Sequence, residues 1–267
     1  MGQGLARWLT ALLIVIAVTP ASHGAVFGVD DRFYAATTPG SPYSPIGMVY
    51  GSRAAATGTL IDRCDVLTVR HLYNRDLLKP DGNALGERVT FYGAVGSRHV
   101  LKSKGTIMFV GSFKPRWKDT EVYDSVNSDW MIVRLDKCLG EKLGWARLAS
   151  RAPEVGTFPE HLEDAGFPAD RNSSKGLSVD PDCSIQRIGM GILFHDCATM
   201  HGNSGGPIFH FVEVDGVRRM EVVGIVSAVA YYGYAPSLVA GYSNWATSVW
   251  NVRYDAARPL PDSRAGH

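Results

Sequence analysis

The stretch His201-Gly202-Asn203-Ser204-Gly205-Gly206-Pro207 runs directly into an apolar segment, Ile208-Phe209. A serine hydroxyl is a poor nucleophile unless it is held exposed beside a group that can take its proton. Glycines on both sides let the backbone fold into a tight loop whose amides converge beside the serine oxygen. In this loop the converging donors are the N–H groups of Gly202 and Ser204. On its own, the same pattern also describes a glycine-rich hairpin.

Two further segments supply what such a serine needs. The segment Leu60-Ile61-Asp62-Arg63-Cys64-Asp65-Val66-Leu67-Thr68-Val69-Arg70-His71 contains a strand, 66–69, that delivers a histidine at its end. That is a place where a general base is held firmly and still reaches a cleft. Ser128-Asp129-Trp130-Met131-Ile132-Val133-Arg134-Leu135 places an aspartate at the start of an apolar strand. Such a carboxylate can accept the imidazole N–H, fix the tautomer and stabilise the imidazolium. Singly, the histidine reads as a surface residue and the aspartate as a strand cap.

Around these segments the chain is punctuated for β structure. Short β-branched runs occupy 58–61, 66–69, 88–92, 106–110 and 130–135, then 184–188, 192–195, 207–211 and 220–227. Turn signals separate them at Pro80-Asp81-Gly82-Asn83, Asp180-Pro181-Asp182 and Val214-Asp215-Gly216. No stretch keeps a helical period, so an all-β sandwich or barrel is expected. Residues 148–156, with Pro153, read as a crossover between two halves.

Composition excludes other classes. The chain has 267 residues, 45% of them apolar, with 27 Lys plus Arg against 26 Asp plus Glu. It is neither disordered nor a disulfide scaffold, and its charge gives no reason to expect a nucleic-acid partner. Residues 1–24 read as a secretory signal: Arg7, the apolar run Trp8 to Val18, then a short segment with small residues. The run is too short for a membrane span of about 20 residues. Removing it leaves a chain of zero formal charge, soluble outside the cytoplasm, where cysteines can oxidise. No His/Cys/Asp/Glu cluster has metal spacing, so neither metal nor cofactor is expected.

Taken together, the His, Asp and Ser segments make the sequence resemble the trypsin-like (chymotrypsin-fold) serine endopeptidases. The similarity is strongest to the secreted bacterial branch that includes the glutamyl endopeptidases. The family patterns are Leu-Thr-Ala-Ala-His-Cys, Asp before an apolar strand, and Gly-Asp/Asn-Ser-Gly-Gly-Pro. Phe27-Gly28-Val29-Asp30-Asp31-Arg32 is also similar to the mature start of the bacterial branch.

The resemblance implies two antiparallel Greek-key six-stranded β-barrels with the active site in the crevice between them. Residues 25–150 would form the first barrel and 151–267 the second barrel plus a tail. Ser204 would be the nucleophile, His71 the base and Asp129 its orienting carboxylate, with the Gly202 and Ser204 amides as oxyanion hole. An esterase of unrelated fold would carry its histidine last, whereas here it comes first.

Departures from the pattern refine these expectations. Arg70 and Leu72 flank His71 where the family has Ala and Cys, and strand alternation points Arg70 away from the imidazole. Asn203 replaces the aspartate that pairs with a newly cut N-terminus in animal members, so the site should mature on leader removal. In the implied substrate pocket, Ala198 removes the charge partner for Lys or Arg. Val226 replaces the histidine that reads a Glu side chain. With Thr199, Ser227 and Val229, the pocket suits small or apolar side chains.

Four cysteines allow three pairings. Cys183 and Cys197 flank a hairpin centred on Gly189-Met190-Gly191. The family's first barrel would bring the remaining pair, Cys64 and Cys138, together. The implied function is a monomeric secreted endopeptidase acting on protein or peptide substrates. The alternative is a catalytically silent homologue serving as a binding or adhesion module.

Overall fold

The computed structural model describes residue 26 and residues 30–52, 54–73, 84–112, 121–150, 161–229 and 244–252. The expected leader and the Pro80–Asn83 turn lie outside these residues, as does most of the 148–156 crossover.

The chain opens with β1 (Phe33–Ala35), followed by β2 (Ile46–Tyr50), β3 (Ala55–Leu60), β4 (Asp65–Thr68), β5 (Arg88–Gly93), β6 (Leu101–Val110) and β7 (Met131–Leu135). Strands β2 to β7 close a six-stranded barrel in the order β2-β3-β4-β7-β6-β5. Its strands alternate where one face meets water: in β5, Val89 and Phe91 are buried while Arg88 is exposed. In β4 all of Asp65–Thr68 is buried, because both of its faces are covered. Ile46, Val49, Leu60, Val66, Leu67, Phe91, Ile107, Ile132 and Val133 are fully buried and belong to the core inside and around the barrel. Cys64 is bonded to Cys138 beside the β4–β7 ladder.

Two features differ from the sequence expectation. The strand carrying His71 stops at Thr68, and Arg70–Leu72 form a 3₁₀ turn. Strand alternation therefore does not govern Arg70, whose side chain is buried. A short helix, α1 (Glu121–Asn127), precedes Asp129; at seven residues it is too short to register as a helical period.

The second half contains α2 (Gly140–Leu143), then β8 (Arg147–Leu148), β9 (Leu162–Gly166), β10 (Leu177–Cys183), β11 (Ile185–Gly189), β12 (Ile192–His195), β13 (Pro207–Val214), β14 (Val217–Val229) and β15 (Asn244–Ser248). These strands, with β1, form a nine-stranded sheet ordered β1-β10-β9-β13-β14-β15-β12-β11, with β8 on β14. Only Ser184 separates β10 from β11, so one bent strand joins both ends of the path and the sheet curls back on itself. Counting β10 and β11 as that one strand, β9, β13, β14, β15 and β12 complete a second six-strand ring. Although they precede residue 151, β1 and β8 ladder onto this second sheet.

Turn chemistry accounts for two hairpins. Met190 (φ 51°) with Gly191 (φ 78°), and Asp215 (φ 52°) with Gly216 (φ 72°), are two-residue loops with both φ values positive, the geometry that matches strand twist. Asp180-Pro181-Asp182 is not a turn: β10 continues through it with a register shift between Asp180 and Cys183. A proline fits such a bulge because it needs no ladder partner for its missing N–H. Cys183 and Cys197 are bonded across the open end of the β11–β12 hairpin.

Candidate active site

His71 sits in the 3₁₀ turn directly after the β4 strand and remains partly open, with its side chain 21% exposed. Asp129, just ahead of β7, is completely buried. Asp129 Oδ1 accepts from the His71 backbone N–H at 2.9 Å and Oδ2 meets His71 Nδ1 at 2.7 Å. Ser227 Oγ, from β14, donates to the same Oδ2 at 2.5 Å. With Nδ1–H donating inward, the Nε2 lone pair is left on the outer side of the ring.

Burial alone would raise the Asp129 pKa. The charge of His71 and the hydrogen bonds from His71 and Ser227 outweigh it and hold the carboxyl below the usual range. Helix α1 fixes where this carboxylate stands: Asp129 N donates to Val126 O at 3.0 Å. The helix in turn docks on the second sheet, Tyr123 stacking on Trp245 and Val126 O accepting from Thr247 Oγ1 at 2.5 Å.

Ser204 lies on the turn leading into β13. Gly202 has φ +100° and Gly205 φ +81°, conformations that L side chains rarely adopt. A Cβ on Gly202 would also strike Phe167 O, and one on Gly205 would strike Thr57 O and Thr68 Oγ1. Within the turn, Asn203 N donates to Met200 O at 3.0 Å, Gly205 N to Val226 O at 2.8 Å and Gly206 N to Asn203 O at 2.6 Å. Among the described residues, no hydrogen bond takes the N–H of Gly202 or Ser204.

The two barrels meet at this turn. Ser204 O accepts from Thr57 N at 2.8 Å, Thr57 O accepts from Thr68 Oγ1 at 2.7 Å, and Gly205 packs against Val69, two residues before His71. On its other side Gly205 bonds Val226, the neighbour of the Ser227 that holds Asp129. Thus the serine turn is bracketed by the segment carrying His71 and by the strand whose Ser227 holds Asp129. No hydrogen bond joins Ser204 Oγ to His71 Nε2; such bonds commonly tighten only with substrate in place.

Of the pocket residues expected from sequence, Ala198, Thr199 and Ser227 are buried. Cys197 O accepts from Asn244 Nδ2 at 2.7 Å, and Asn244 is the cross-strand partner of Val229. The segment entering Ala198 and Thr199 is therefore tied to the strand paired with the end of β14. His201 is exposed. Among the described residues, no group of three or more His, Cys, Asp or Glu side chains is arranged to hold a metal.

Sequence reading missed the residues that join these parts. Thr57 Oγ1 donates to Gly202 O at 2.8 Å and accepts from Phe167 N at 3.1 Å, bridging segments 145 and 110 residues away. Ser227 was visible as a pocket residue but not as a partner of Asp129. Asp164 meets the Asn203 side chain in the interior. None of these three contacts leaves a local sequence signal.

A closed six-strand barrel packed against a second curled sheet, with a serine turn, a histidine turn and a buried aspartate at their junction, defines the class of two-barrel serine endopeptidases. Residues 35–248 match the Trypsin family model, and the chain belongs to that family. Comparison with curated proteins finds no match. Among solved structures, a Glu endopeptidase in complex with MPD is similar at 18% identity and a TM-score of 0.54, covering 84% of this chain and 93% of that one. An inactivated protease paralogue of the scabies mite, S-D1, is similar at 13% identity and a TM-score of 0.54, covering 82% of this chain and 91% of that one. The protease Anisep from Arthrobacter nicotinovorans is similar at 15% identity and a TM-score of 0.50, covering 79% of this chain and 92% of that one.

Proposed function

We propose that this peptidase works through His71, Asp129 and Ser204 and forms an acyl-enzyme on Ser204. His71 Nε2 takes the Ser204 proton as Oγ attacks the peptide carbonyl carbon. The carbonyl oxygen, now an oxyanion, accepts from the N–H groups of Gly202 and Ser204. His71 then gives its proton to the departing amine. Water, deprotonated by His71, attacks the ester carbonyl; the C–Oγ bond then breaks, His71 returns the proton to Ser204 Oγ and the acid product leaves. Throughout, Asp129 steadies the ring and its transient positive charge.

The observation that carries this reading is the pairing of His71 with a fully buried Asp129 beside a turn whose Gly202 and Ser204 amides are unclaimed by described residues. Small Ala198 and Thr199, with no acidic partner contributed by either, favour small or apolar residues on the acyl side of the cleaved bond. The expected leader and the two disulfides fit a protein acting outside the cytoplasm on protein or peptide substrates. Maturation follows leader removal without an animal-type ion pair, since Asn203 carries no charge.

The test is digestion of a mixed-sequence peptide library by the chain starting at Ala25, beside Ser204→Ala. Cleavage after Ala, Val or similar residues, abolished in the variant, is expected. Cleavage after Lys, Arg or Glu would overturn the pocket assignment. Loss of all Ser204-dependent cleavage would overturn the enzymatic reading and leave a binding module.

A further inference from the structure

Asn203 sits between the two residues whose amides face the reacting carbonyl, and its side chain turns the other way, into the second sheet. Its Nδ2 donates to Asp164 Oδ2 at 2.9 Å. Both residues are nearly inaccessible, Asp164 at 1% and Asn203 at 2% exposure. Asp164 Oδ1 and Asn203 Oδ1 are buried as well, and neither has a hydrogen-bond partner among the described residues. The Gly166 backbone presses on that amide so closely that a Cβ there would collide with Asn203 Oδ1.

Two buried oxygens left as bare acceptors are costly, at roughly 1–3 kcal/mol for each unsatisfied group. A single proton on the carboxyl removes both deficits. The acid O–H then donates to the amide oxygen while the amide N–H donates to the acid carbonyl, closing a cyclic pair.

We propose that Asp164 is a positioning residue that pairs as a neutral acid with Asn203 and thereby fixes the direction of the Gly202 and Ser204 amides. This rests on the reading of those amides as the oxyanion site. The surroundings favour the neutral form. Burial first, then the like charge of Asp180, its cross-strand partner, push the carboxyl well above the usual range. Asp180 Oδ2 is itself engaged by Ala198 N at 2.6 Å. The Asn203 side-chain hydrogen bond, the nearby Ala165 N–H and, more weakly, Arg32 pull the other way; Arg32 is itself committed to Asp30 and Asp170. From β13 the partner of Asp164 is Ile208, which brings no charge.

Ionising Asp164 would set a carboxylate against the amide oxygen of Asn203 and release the turn. Activity should therefore decline on the alkaline side through the oxyanion site, as a fall in kcat with little change in KM. The experiment measures kcat and KM against pH for the wild type, Asp164→Asn and Asp164→Ala. It adds infrared spectroscopy of the wild type and Asp164→Asn at neutral pH.

Asp164→Asn keeps one donor and one acceptor toward Asn203 and cannot ionise, so it should lose the alkaline decline. Asp164→Ala should lower kcat by about 100-fold, the scale of a misplaced reacting group. The wild type should show a protonated-carboxyl C=O band that is missing in Asp164→Asn. Ser204-dependent hydrolysis with an unchanged alkaline decline in Asp164→Asn overturns the proposal, as does absence of that band. If Asp164→Ala does not fold, the other two readouts still decide. A wild type without Ser204-dependent hydrolysis instead overturns the catalytic reading beneath it.

Discussion

Ser227 Oγ donates to Asp129 Oδ2 at 2.5 Å, so a hydroxyl from the second sheet holds a carboxylate carried by the first barrel. Replacing Asp129 by Asn should leave the packing intact but favour the wrong imidazole tautomer, lowering kcat by about four orders of magnitude. Ser227→Ala removes one of three donors to a charged carboxylate and should cost about 1.5–3 kcal/mol, or roughly 10- to 100-fold in kcat. Kinetics on both variants check this; equal losses would contradict the distinct roles.

Thr57 is the stitch between the barrels. Its Oγ1 donates to the partly buried Gly202 O and accepts from the buried Phe167 N. Thr57→Val keeps the shape and strands the buried Phe167 N–H, so it should destabilise by about 1–3 kcal/mol. At this size that lowers Tm by roughly 2–4 °C per kcal/mol. Because the turn carrying Ser204 loosens as well, kcat should fall with it; thermal unfolding and kinetics without either change would refute the link.

The two disulfides should differ in weight. Cys64–Cys138 spans a sequence separation of 74 and Cys183–Cys197 one of 14. On chain entropy, removing the first should cost about 4 kcal/mol and the second about 3. Urea unfolding of the two double Cys→Ala variants gives the order, and the reverse order would contradict it.

His195 sets an acid limit to stability. It is fully buried on β12, and burial lowers its pKa to about 3, the Trp245 backbone opposing only weakly. The folded form therefore stays neutral while the unfolded chain takes up a proton near pH 6.5. Its contribution to stability is present above about pH 6.5 and is lost as pH falls toward 3, by about 1.4 kcal/mol per pH unit. His195→Leu should flatten that slope in urea unfolding between pH 7 and pH 4.5; identical slopes would contradict the assignment.

What sequence reading captured was local, and what it missed depends on distant partners. The serine turn announces itself because Gly202 and Gly205 need positive φ, and β13 and β7 because their apolar runs continue inward. Leu162–Gly166 contains Glu163 and Asp164 and has little intrinsic strand preference, yet it is a strand because β10 and β13 flank it. Asn244–Ser248 is polar in composition but wholly buried between β12 and β14. The histidine strand was read too far because apolar alternation cannot signal a 3₁₀ turn at Arg70. His71, Asp129 and Ser204 were individually visible; Thr57, Asp164 and the Ser227 bond were not, since each acts across at least 39 residues of sequence.

The most direct test of the catalytic account is covalent labelling of the mature chain with a fluorophosphonate probe, beside Ser204→Ala and His71→Ala. The wild type should label stoichiometrically at Ser204, and both variants should fail to label. Labelling that persists in Ser204→Ala, or a folded wild type that does not label, would contradict it.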